Sequence, residues 1–355
     1  MKTTTLKADD MSLDIDYLRT LCESTGVSGF EEEVCQNFLS YLKDKTDTPH
    51  IDTMGNAITF LKGNGEAQTV MIEAHADEIG FQVIHINDMG NIFIRPNGGI
   101  DEQCLPGSQV LIQTQTGELI PGVIGKKPIH LMKADDRKHT IETHHLWVDT
   151  GIGKDESRVN VGDPVAFAPN MKLMGKHRVT SKALDDRIGV FVVAQAMRRL
   201  AMAKSLERTI AGVATTQEEV GCRGSVTASY TIQPDIAITV DVDFATDVPD
   251  CPSSQYGEIA LGKGVVIPRN ADADMTLSRK MEQLAKAKGI PYQISARHRA
   301  TGGTNASKIQ LTRDGVRTLS LGIPCRYMHT PVEMCDLRDV EAAIQLIVEF
   351  CTEEK

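Results

Sequence analysis

Long apolar runs and aromatic residues are scarce in this chain of 355 residues. No apolar stretch approaches the roughly 20 residues that a membrane-spanning helix needs, so we expect no membrane anchor. Aromatic residues make up 5% of the chain and include one Trp, which disfavours the aromatic platforms of carbohydrate-binding clefts. The N-terminal stretch MKTTTLKADDMSLDIDYL lacks an apolar core, and we expect no secretory signal in it.

Basic residues and paired cysteines are also few. The 38 Lys and Arg residues are outnumbered by 48 Asp and Glu residues, which gives a net charge of -10. Because nucleic acids and anionic membranes attract basic surfaces, we expect neither as a partner. The eight cysteines form no CxxC pair, which disfavours a zinc ribbon or a thioredoxin-like site. Scattered cysteines are typical of a reducing cytoplasm, which is the expected location.

The pattern of apolar residues predicts an α/β fold interrupted by a β-rich insertion. Apolar strands at 69–74, 210–216, 236–242 and 316–321 alternate with helical patterns at 188–200, 275–288 and 337–350, which is typical of a sheet covered on both faces. Between them, short β-rich pieces separated by Gly, Asn, Asp and Pro indicate a small β-barrel or sandwich. We therefore predict a discontinuous α/β domain over 1–82 and 176–355, with an inserted domain over 83–175.

Ser28 and Glu31 have the spacing of a capping box at the start of the helical pattern FEEEVCQNFLSYLKD. In such a box the serine hydroxyl accepts a hydrogen bond from the third helical amide, and the glutamate reaches back to the amide of the cap. We therefore expect Ser28 to cap this helix.

Five short segments carry candidate functional residues, and we expect each to lie at the end of an apolar strand, where an α/β sheet places its functional groups. Taken singly, each has a simpler interpretation as a charged turn, an aspartate that caps a helix, or a structural histidine. The segments are AHADE at 74–78, KALDDR at 182–187, TTQEEVG at 215–221, DVD at 241–243 and RYMHTP at 326–331.

Together these segments offer a set of metal ligands. Two histidines with three carboxylates suit zinc, cobalt or manganese, and a bridging carboxylate would place two ions about 3.5–4 Å apart. Glu218 could then act as a general base, and Asp77 could orient an imidazole. The five candidate ligands are His75, Asp185, Glu219, Asp241 and His329.

The segments AHADEIG, KALDDRIGV, TTQEEVG, VDV and RYMHTPVE occur in the same order in a known family. The chain resembles the two-metal aminopeptidases that assemble as tetrahedral (TET-type) particles. This family includes glutamyl, leucyl, lysyl and deblocking aminopeptidases and members once labelled endoglucanase M. The resemblance extends from GVSGFEEEV to the terminal helix. It implies a mixed-sheet di-zinc peptidase domain with an inserted small β-barrel, short peptide substrates, and a homo-oligomer, most simply a dodecamer.

The resemblance also implies a role for each candidate residue. Glu218 would take a proton from the attacking water, Asp77 would orient His75, and the peptide bond between residues 185 and 186 would be cis. Two divalent ions, expected to be zinc, with cobalt or manganese as alternatives, would share one carboxylate. His75 and Asp241 would bind one ion, Glu219 and His329 the other, and Asp185 both.

The glycine-rich segment TGGTNAS at 301–307 departs from the family pattern at Asn305, where related members usually have aspartate. The change removes one charge near the expected substrate site, so we expect it to affect specificity or rate rather than metal binding. Arg297 and Arg299 could favour acidic substrates, but ordinary solvated charges at a strand end explain them equally well.

Two other functions fit parts of the sequence. A glycoside hydrolase needs two carboxylates about 5–10 Å apart and no pair of histidines. A metal-bound peptide scaffold with weak or no activity could dispense with Glu218, which this chain retains.

Overall fold

A computed structural model of the chain describes residues 13–64, 68–153, 158–296 and 303–353. Within these ranges, no helix is both long and apolar enough to cross a bilayer. The helices are α1 Ile15–Glu23, α2 Glu32–Leu42, α3 Leu184–Leu200, α4 Arg223–Ile232, α5 Ser253–Tyr256, α6 Met275–Lys288, α7 Ala306–Ile309 and α8 Leu337–Thr352.

The strands fall into two groups along the chain, with those of the insertion in the middle. They are β1 Asp47–Ile51, β2 Ala57–Leu61, β3 Thr69–His75, β4 Gly80–Ile86, β5 Ile92–Asn97, β6 Gln109–Gln113, β7 Leu119–Gly125, β8 Trp147–Asp149, β9 Pro164–Phe167, β10 Lys172–Met174, β11 Arg178–Ser181, β12 Thr209–Thr215, β13 Ile236–Phe244, β14 Val265–Pro268, β15 Tyr292–Ser295, β16 Arg317–Arg326 and β17 Glu333–Asp336.

A mixed sheet of 11 strands forms the larger part of the fold, in the order β1-β2-β12-β3-β13-β16-β17-β11-β10, with β14 and β15 joined beside β16. Strands β12, β3, β13 and β16 are mutually parallel at its centre. Their carboxyl ends therefore lie at one edge, which is where open α/β sheets bind ligands. The expected α/β fold with a mixed sheet is confirmed.

The insertion folds as a closed barrel of six antiparallel strands, in the order β4-β5-β8-β7-β6-β9. Alternating residues of these strands point inward; β7, for example, is buried at Ile120, Gly122 and Ile124. Phe81 and Phe167 meet edge to face inside it, with ring centroids 5.6 Å apart. The expected small β-barrel is thus present between β3 and β10.

Helix α3 is the central helix of the larger part and packs against β3 and β13. Its sequence IGVFVVAQAM is apolar almost all round, as expected for a helix buried between a sheet and other helices. Helices α1, α2, α6 and α8 complete this apolar layer, and α4 and α7 cover the opposite face of the sheet. The sheet therefore lies between two helical layers.

The predicted capping box is wrong. Helix α2 begins at Glu32, its N-cap residue is Glu31, and this cap makes no side-chain hydrogen bond to the helix. The Ser28 hydroxyl instead donates to Asp77 Oδ2 at 2.6 Å, and Glu31 Oε1 accepts from the amides of Gly29 and Gln217. Both side chains are thus used to join the first loop to the edge of the sheet that carries the candidate ligands.

Candidate metal centre

The five candidate ligands converge at the carboxyl edge of the parallel strands. Strand β3 ends at His75, and Glu219 lies in the turn that follows β12. Asp241 lies on β13, three residues before its end, and His329 lies three residues beyond the end of β16. Asp185 comes from a different source, the first turn of α3, which packs against β3 and β13.

The Asp185 carboxylate lies between the two histidines. Its Oδ1 atom is 3.1 Å from His75 Nε2, and its Oδ2 atom is 3.3 Å from His329 Nε2. The peptide bond from Asp185 to Asp186 is cis, as the resemblance implies. One carboxylate therefore presents an oxygen to each imidazole, which is the arrangement that a bridging ligand requires.

The other two carboxylates lie on opposite sides of this arrangement. Asp241 Oδ1 is 3.9 Å from His75 Nε2, and Glu219 Oε2 is 3.7 Å from His329 Nε2. Two donors bound to one tetrahedral ion at about 2.1 Å are themselves about 3.4 Å apart, so these separations fit shared cations. Among the described residues, the buried Glu219 Oε1 has no hydrogen-bond partner, as expected of an atom available to a cation.

Two overlapping groups of donors meet the spacing of a metal site, with all donor atoms of a group within 4.8 Å of one another. The first group is His75, Asp185 and Glu219, and the second is His75, Asp186 and Asp241. Asp186 is already engaged, because its carboxylate accepts from the amides of His75 and Gly189. A Cβ atom at Gly189 would lie 2.3 Å from that carboxylate, so the close approach depends on glycine.

Asp77 connects one histidine to the glutamate turn. Its Oδ1 atom lies 3.3 Å from His75 Nδ1, while its two oxygens accept from the amides of Glu218 and Glu219. A carboxylate on the far nitrogen of a ligating histidine fixes the orientation of the ring. Asp77 therefore holds both the imidazole and the two consecutive glutamates.

Glu333 is a functional residue that the sequence reasoning missed. Its Oε2 atom accepts from the Asp185 amide at 2.8 Å, and its Oε1 atom accepts from the His329 amide at 2.9 Å. The side chain is 1% exposed. One buried carboxylate thus fixes the backbones of two candidate ligands, and its place at the end of the segment RYMHTPVE, four residues after His329, is a sequence signal for it.

A buried ion cluster of Glu78, Lys182 and Arg187 lies close behind the candidate ligands. Glu78 contacts Lys182 Nζ at 2.8 Å and Arg187 Nη2 at 3.2 Å, and all three side chains are at most 1% exposed. Arg187 donates further hydrogen bonds to the carbonyls of Ala76 and Leu21. Since Lys182 and Arg187 flank Asp185 in the chain, the cluster fixes this segment against the loop after β3.

Burial and repulsion between neighbouring acids raise the pKa of three carboxyl groups of the candidate metal centre. Burial raises the pKa of Glu218 to about 7 against the opposing charge of His75. Burial, followed by repulsion from Asp185, holds the pKa of Glu219 well above its usual range, and burial does the same for Asp241. Such a set of acids is most favourable when positive charge is close, which divalent cations provide.

His75, His329 and Asp185, in contrast, have pKa values shifted so that their charged forms are favoured. Burial acts to lower the pKa of His75, but hydrogen bonds to Asp185 and Asp77 outweigh it and hold the pKa well above the usual value. Asp185 likewise raises the pKa of His329 against the effect of burial. Although burial opposes the change, the hydrogen bonds from both imidazoles lower the pKa of Asp185.

A cavity of about 410 Å³ opens directly onto these groups. Glu218 lies on its wall, and the Cys222 thiol donates to Glu218 Oε1 at 3.2 Å. The remainder of the lining mixes carboxylates, backbone and apolar side chains. It includes Val242, Asp243, Phe244, Val266, Pro268, Asn270, Asp272, Ser295, Gly303, Thr304 and Met328.

Asn305 itself does not line this cavity. The side chain is 1% exposed and points into the core, where it donates to Glu73 and Thr215. Its neighbours Gly303 and Thr304 form part of the cavity wall. Arg297 and Arg299, which were considered as determinants of substrate charge, lie outside the described residues.

Comparison with known proteins identifies the family. A profile of the M42 glutamyl aminopeptidase family matches residues 55–346. The chain belongs to this family. A lysyl aminopeptidase of Pyrococcus furiosus is 36% identical over 342 residues, which cover 94% of this chain and 95% of the relative. Membership places the chain among the aminopeptidases, which are hydrolases, and confirms the resemblance drawn from the five motifs.

Solved structures of the same family share the fold. A TET aminopeptidase from a marine sediment archaeon of the Thaumarchaeota superposes with a TM-score of 0.90 at 32% identity, covering 96% of each chain. The TET1 peptidase of Pyrococcus horikoshii, described as able to assemble into a tetrahedron or a large octahedral shell, gives a TM-score of 0.85 at 33% identity. The match covers 96% of this chain and 99% of that one.

Proposed function

We propose that this protein removes N-terminal residues from short peptides, with two divalent cations and Glu218 as general base. The observation that carries the proposal is the position of Asp185, whose two oxygens face two different imidazoles at 3.1 and 3.3 Å. A single catalytic zinc typically uses three protein ligands, whereas this cluster offers five donors around one shared carboxylate.

The proposed ligand sets follow from the pairs of close contacts. His75 and Asp241 would hold one cation, His329 and Glu219 the other, and Asp185 both. Imidazole and carboxylate donors suit zinc, cobalt and manganese. We propose zinc as the bound metal, with cobalt and manganese as the alternatives.

The reaction follows from the chemistry of the wall residues. When bound, two cations would polarise the scissile carbonyl and lower the pKa of water. Glu218 would accept a proton from the attacking water and return it to the leaving amine. Its backbone is fixed by Asp77 and its carboxylate by Cys222, so the base is held facing the cavity.

The acidic wall supports release of one residue at a time. A free peptide N-terminus carries a positive charge at neutral pH, and carboxylates of the cavity, such as Glu218 and Asp241, would attract it. An internal peptide bond has no such ammonium group. The proposed enzyme therefore acts as an exopeptidase.

The proposal is tested by metal content and by a panel of aminoacyl-anilides. Metal-free protein is loaded with Zn²⁺, Co²⁺ or Mn²⁺, and bound metal is measured by elemental analysis alongside hydrolysis. We expect two ions per chain and cleavage only of anilides with a free amine. A ratio that stays at one or below in metal excess, or equal cleavage of acetylated anilides, would contradict the proposal.

We further propose a homo-oligomer, most simply a dodecamer, in which the insertion over 83–175 makes subunit contacts. The TET1 peptidase of Pyrococcus horikoshii assembles into a tetrahedron. The insertion presents exposed apolar side chains at Met89, Ile129, Leu131 and Val161, each more than half accessible. Light scattering is expected to give a particle of many subunits, and a fully active monomer at micromolar concentration would contradict this assembly.

The alternatives have less support from the cavity. Among its described lining residues, Phe244 is the only Phe, Tyr or Trp, which leaves little surface for stacking a sugar ring. A metal-bound peptide scaffold without activity would not need Glu218 on the wall. We also propose a cytoplasmic location, because all eight cysteines are free thiols in the structure.

A further inference from the structure

The acidic residue of β3, Glu73, is buried close to the candidate ligand His75 and has no part in the proposed mechanism. It lies two residues before His75 and is 0% exposed. In the parallel register it stands between Val213 of β12 and Thr239 of β13, at the centre of the sheet. A buried carboxyl group without hydrogen bonds is costly, so its partners identify its role.

Two side chains donate to one oxygen of Glu73. Thr215 Oγ1 and Asn305 Nδ2 each lie 3.0 Å from Glu73 Oε2. Asn305 Nδ2 also lies 2.9 Å from Thr215 Oγ1. Three buried side chains thus form a closed triangle of hydrogen bonds that joins β3, β12 and the start of α7.

This triangle connects the centre of the sheet to the cavity wall. Asn305 immediately follows Gly303 and Thr304, which line the cavity beside the candidate ligands. The Thr304 carbonyl accepts from the amide and the hydroxyl of Ser307, so the wall segment and the first turn of α7 form one unit. Asn305 bonds this unit to β3 and β12 of the sheet, in addition to the apolar packing of Ile309 in α7.

We infer that Asn305 is a positioning residue for substrate: its bond to Glu73 holds the wall segment Gly303–Thr304 in place for peptide binding. This inference rests on the proposed function. The contact needs a carboxamide at 305, because Glu73 Oε2 accepts from its N–H groups. Asp in that position has no N–H and would bring two acidic groups together.

The geometry predicts an asymmetric response to isosteric substitution. Among the described residues, Glu73 Oε1 and Asn305 Oδ1 are buried without partners. In Glu73→Gln the new amino group can occupy the Oε1 position, and Oε2 keeps both donors. In Asn305→Asp both N–H donors are lost. The double variant Glu73→Gln/Asn305→Asp restores one carboxamide and one carboxylate with their roles exchanged.

The experiment measures KM, kcat, metal content and amide hydrogen exchange of residues 303–309 for the wild type, both single variants and the double variant. Asn305→Asp is expected to raise KM about 5- to 30-fold and to speed exchange in 303–309, with kcat and metal content within about twofold. Glu73→Gln and the double variant are expected to stay within about threefold of wild type in KM. Asn160→Asp, on the exposed surface of the insertion, controls for the added charge.

Each outcome decides for or against the inference. An unchanged KM and unchanged exchange in Asn305→Asp, or a double variant as impaired as Asn305→Asp, would overturn it. Loss of metal in Asn305→Asp would also overturn it, because the segment would then support the metal centre. If Asn305→Asp does not fold, the double variant decides: a folded double variant with near-normal KM supports the inference, and one that also fails to fold overturns it. If the wild type cleaves no anilide, the proposed function fails, and hydrogen exchange alone still tests the attachment of residues 303–309.

Discussion

The barrel and the α/β part of this chain are stabilised in different ways. The barrel core is made of side chains such as Phe81, Val110, Ile112 and Phe167. Among its described residues 80–153 and 158–167, the one buried ionisable side chain is Asp163. The α/β part, in contrast, buries many charged groups around the candidate ligands, including Glu78, Asp186, Arg187 and Glu333.

The difference shows which part of the molecule retains buried charges. A buried charge costs free energy unless it is paired, so a fold that serves only as a scaffold has no reason to retain many of them. Three of these charged side chains contact the backbone of a candidate ligand or of its neighbour: Asp186 accepts from the His75 amide, Glu333 from those of Asp185 and His329, and Arg187 donates to the Ala76 carbonyl. These three side chains therefore hold the backbone around the candidate ligands, whereas the side-chain core of the barrel is almost entirely apolar.

The largest expected effect is the loss of the general base. Glu218→Gln keeps the size of the side chain but cannot accept a proton. We expect kcat to fall about 10²- to 10⁴-fold, or about 3–5 kcal/mol of transition-state stabilisation, with metal content unchanged. Steady-state kinetics and elemental analysis on the same samples provide the test.

The neighbouring glutamate is the matched control. Glu219→Gln weakens a proposed ligand and should lose metal before it loses rate at saturating metal. If Glu218→Gln lost metal while Glu219→Gln kept it, the two roles would have to be exchanged. Normal activity and metal content in both variants would exclude a catalytic function for this turn.

The barrel should respond to substitution in the opposite manner. Phe167→Ala removes one partner of the aromatic pair and is expected to lower the free energy of unfolding by about 3–5 kcal/mol. The molecules that remain folded should keep normal metal content and KM. Denaturant unfolding and kinetics measure the two quantities, with Phe167→Leu as a milder control. Reduced metal affinity in folded Phe167→Ala would show that barrel and centre are coupled.

The fold and the ligand candidates were accessible from the sequence because both depend on local patterns. Buried parallel strands are continuous apolar runs, so β3 and β13 were recognisable, and residues at their ends share one edge of the sheet. His75 and Asp241 could therefore be placed together without knowledge of strand order. The pairing of ligands with ions came from the resemblance, and His75 Nε2 and Asp241 Oδ1 of one expected pair lie 3.9 Å apart.

The supporting residues were harder to predict because their roles depend on distant partners. Glu333 accepts from an amide 148 residues away, and Glu78 from a lysine 104 residues away. Ser28 failed as a helix cap for the same reason, since its hydroxyl has a better acceptor in Asp77. The capping rule considers only hydrogen-bond partners within one segment, whereas the partners of Ser28 and Glu333 come from distant parts of the chain.

An intermediate effect is expected from a buried acid remote from the centre. Asp339 accepts from the amides of Gly262 and Gly264, and burial raises its pKa to about 7. Between about pH 4 and pH 7 the Asp339 carboxyl group is therefore protonated in the folded state but ionised in the unfolded chain. The resulting stabilisation is present below pH 4 and is lost as the pH rises to 7.

The test compares unfolding of the wild type and Asp339→Asn from pH 5 to pH 8. The difference in free energy of unfolding between wild type and variant should fall by about 2–3 kcal/mol over this range, because asparagine does not titrate. Asp163→Asn in the barrel is the matched variant for the other region. A difference that stays constant with pH would show that Asp339 is ionised throughout.

The smallest expected effect is a loss of metal affinity on substitution of Glu333, compared with Glu102, a glutamate of the insertion that also accepts two hydrogen bonds. Glu333 accepts from the amides of Asp185 and His329, while the partly exposed Glu102 of the insertion accepts from the amide and hydroxyl of Thr143. Glu333→Gln keeps one acceptor and turns an N–H toward the other amide. Because residues that orient ligands typically contribute 10- to 100-fold to metal affinity, we expect a loss of about 1.4–2.7 kcal/mol in metal binding.

Glu102→Gln should leave metal affinity unchanged and alter stability by less than about 1 kcal/mol, since its oxygen is close to solvent and can be replaced by water. Metal titration with a competing chelator measures the affinity of both variants. Because Glu333 holds Asp185, which both proposed cation sites share, and His329 of one site, both binding steps should weaken in Glu333→Gln. Weakening of a single step would mean that only one of its two hydrogen bonds orients a ligand, and an effect in Glu102→Gln of equal size would remove the distinction between the two regions.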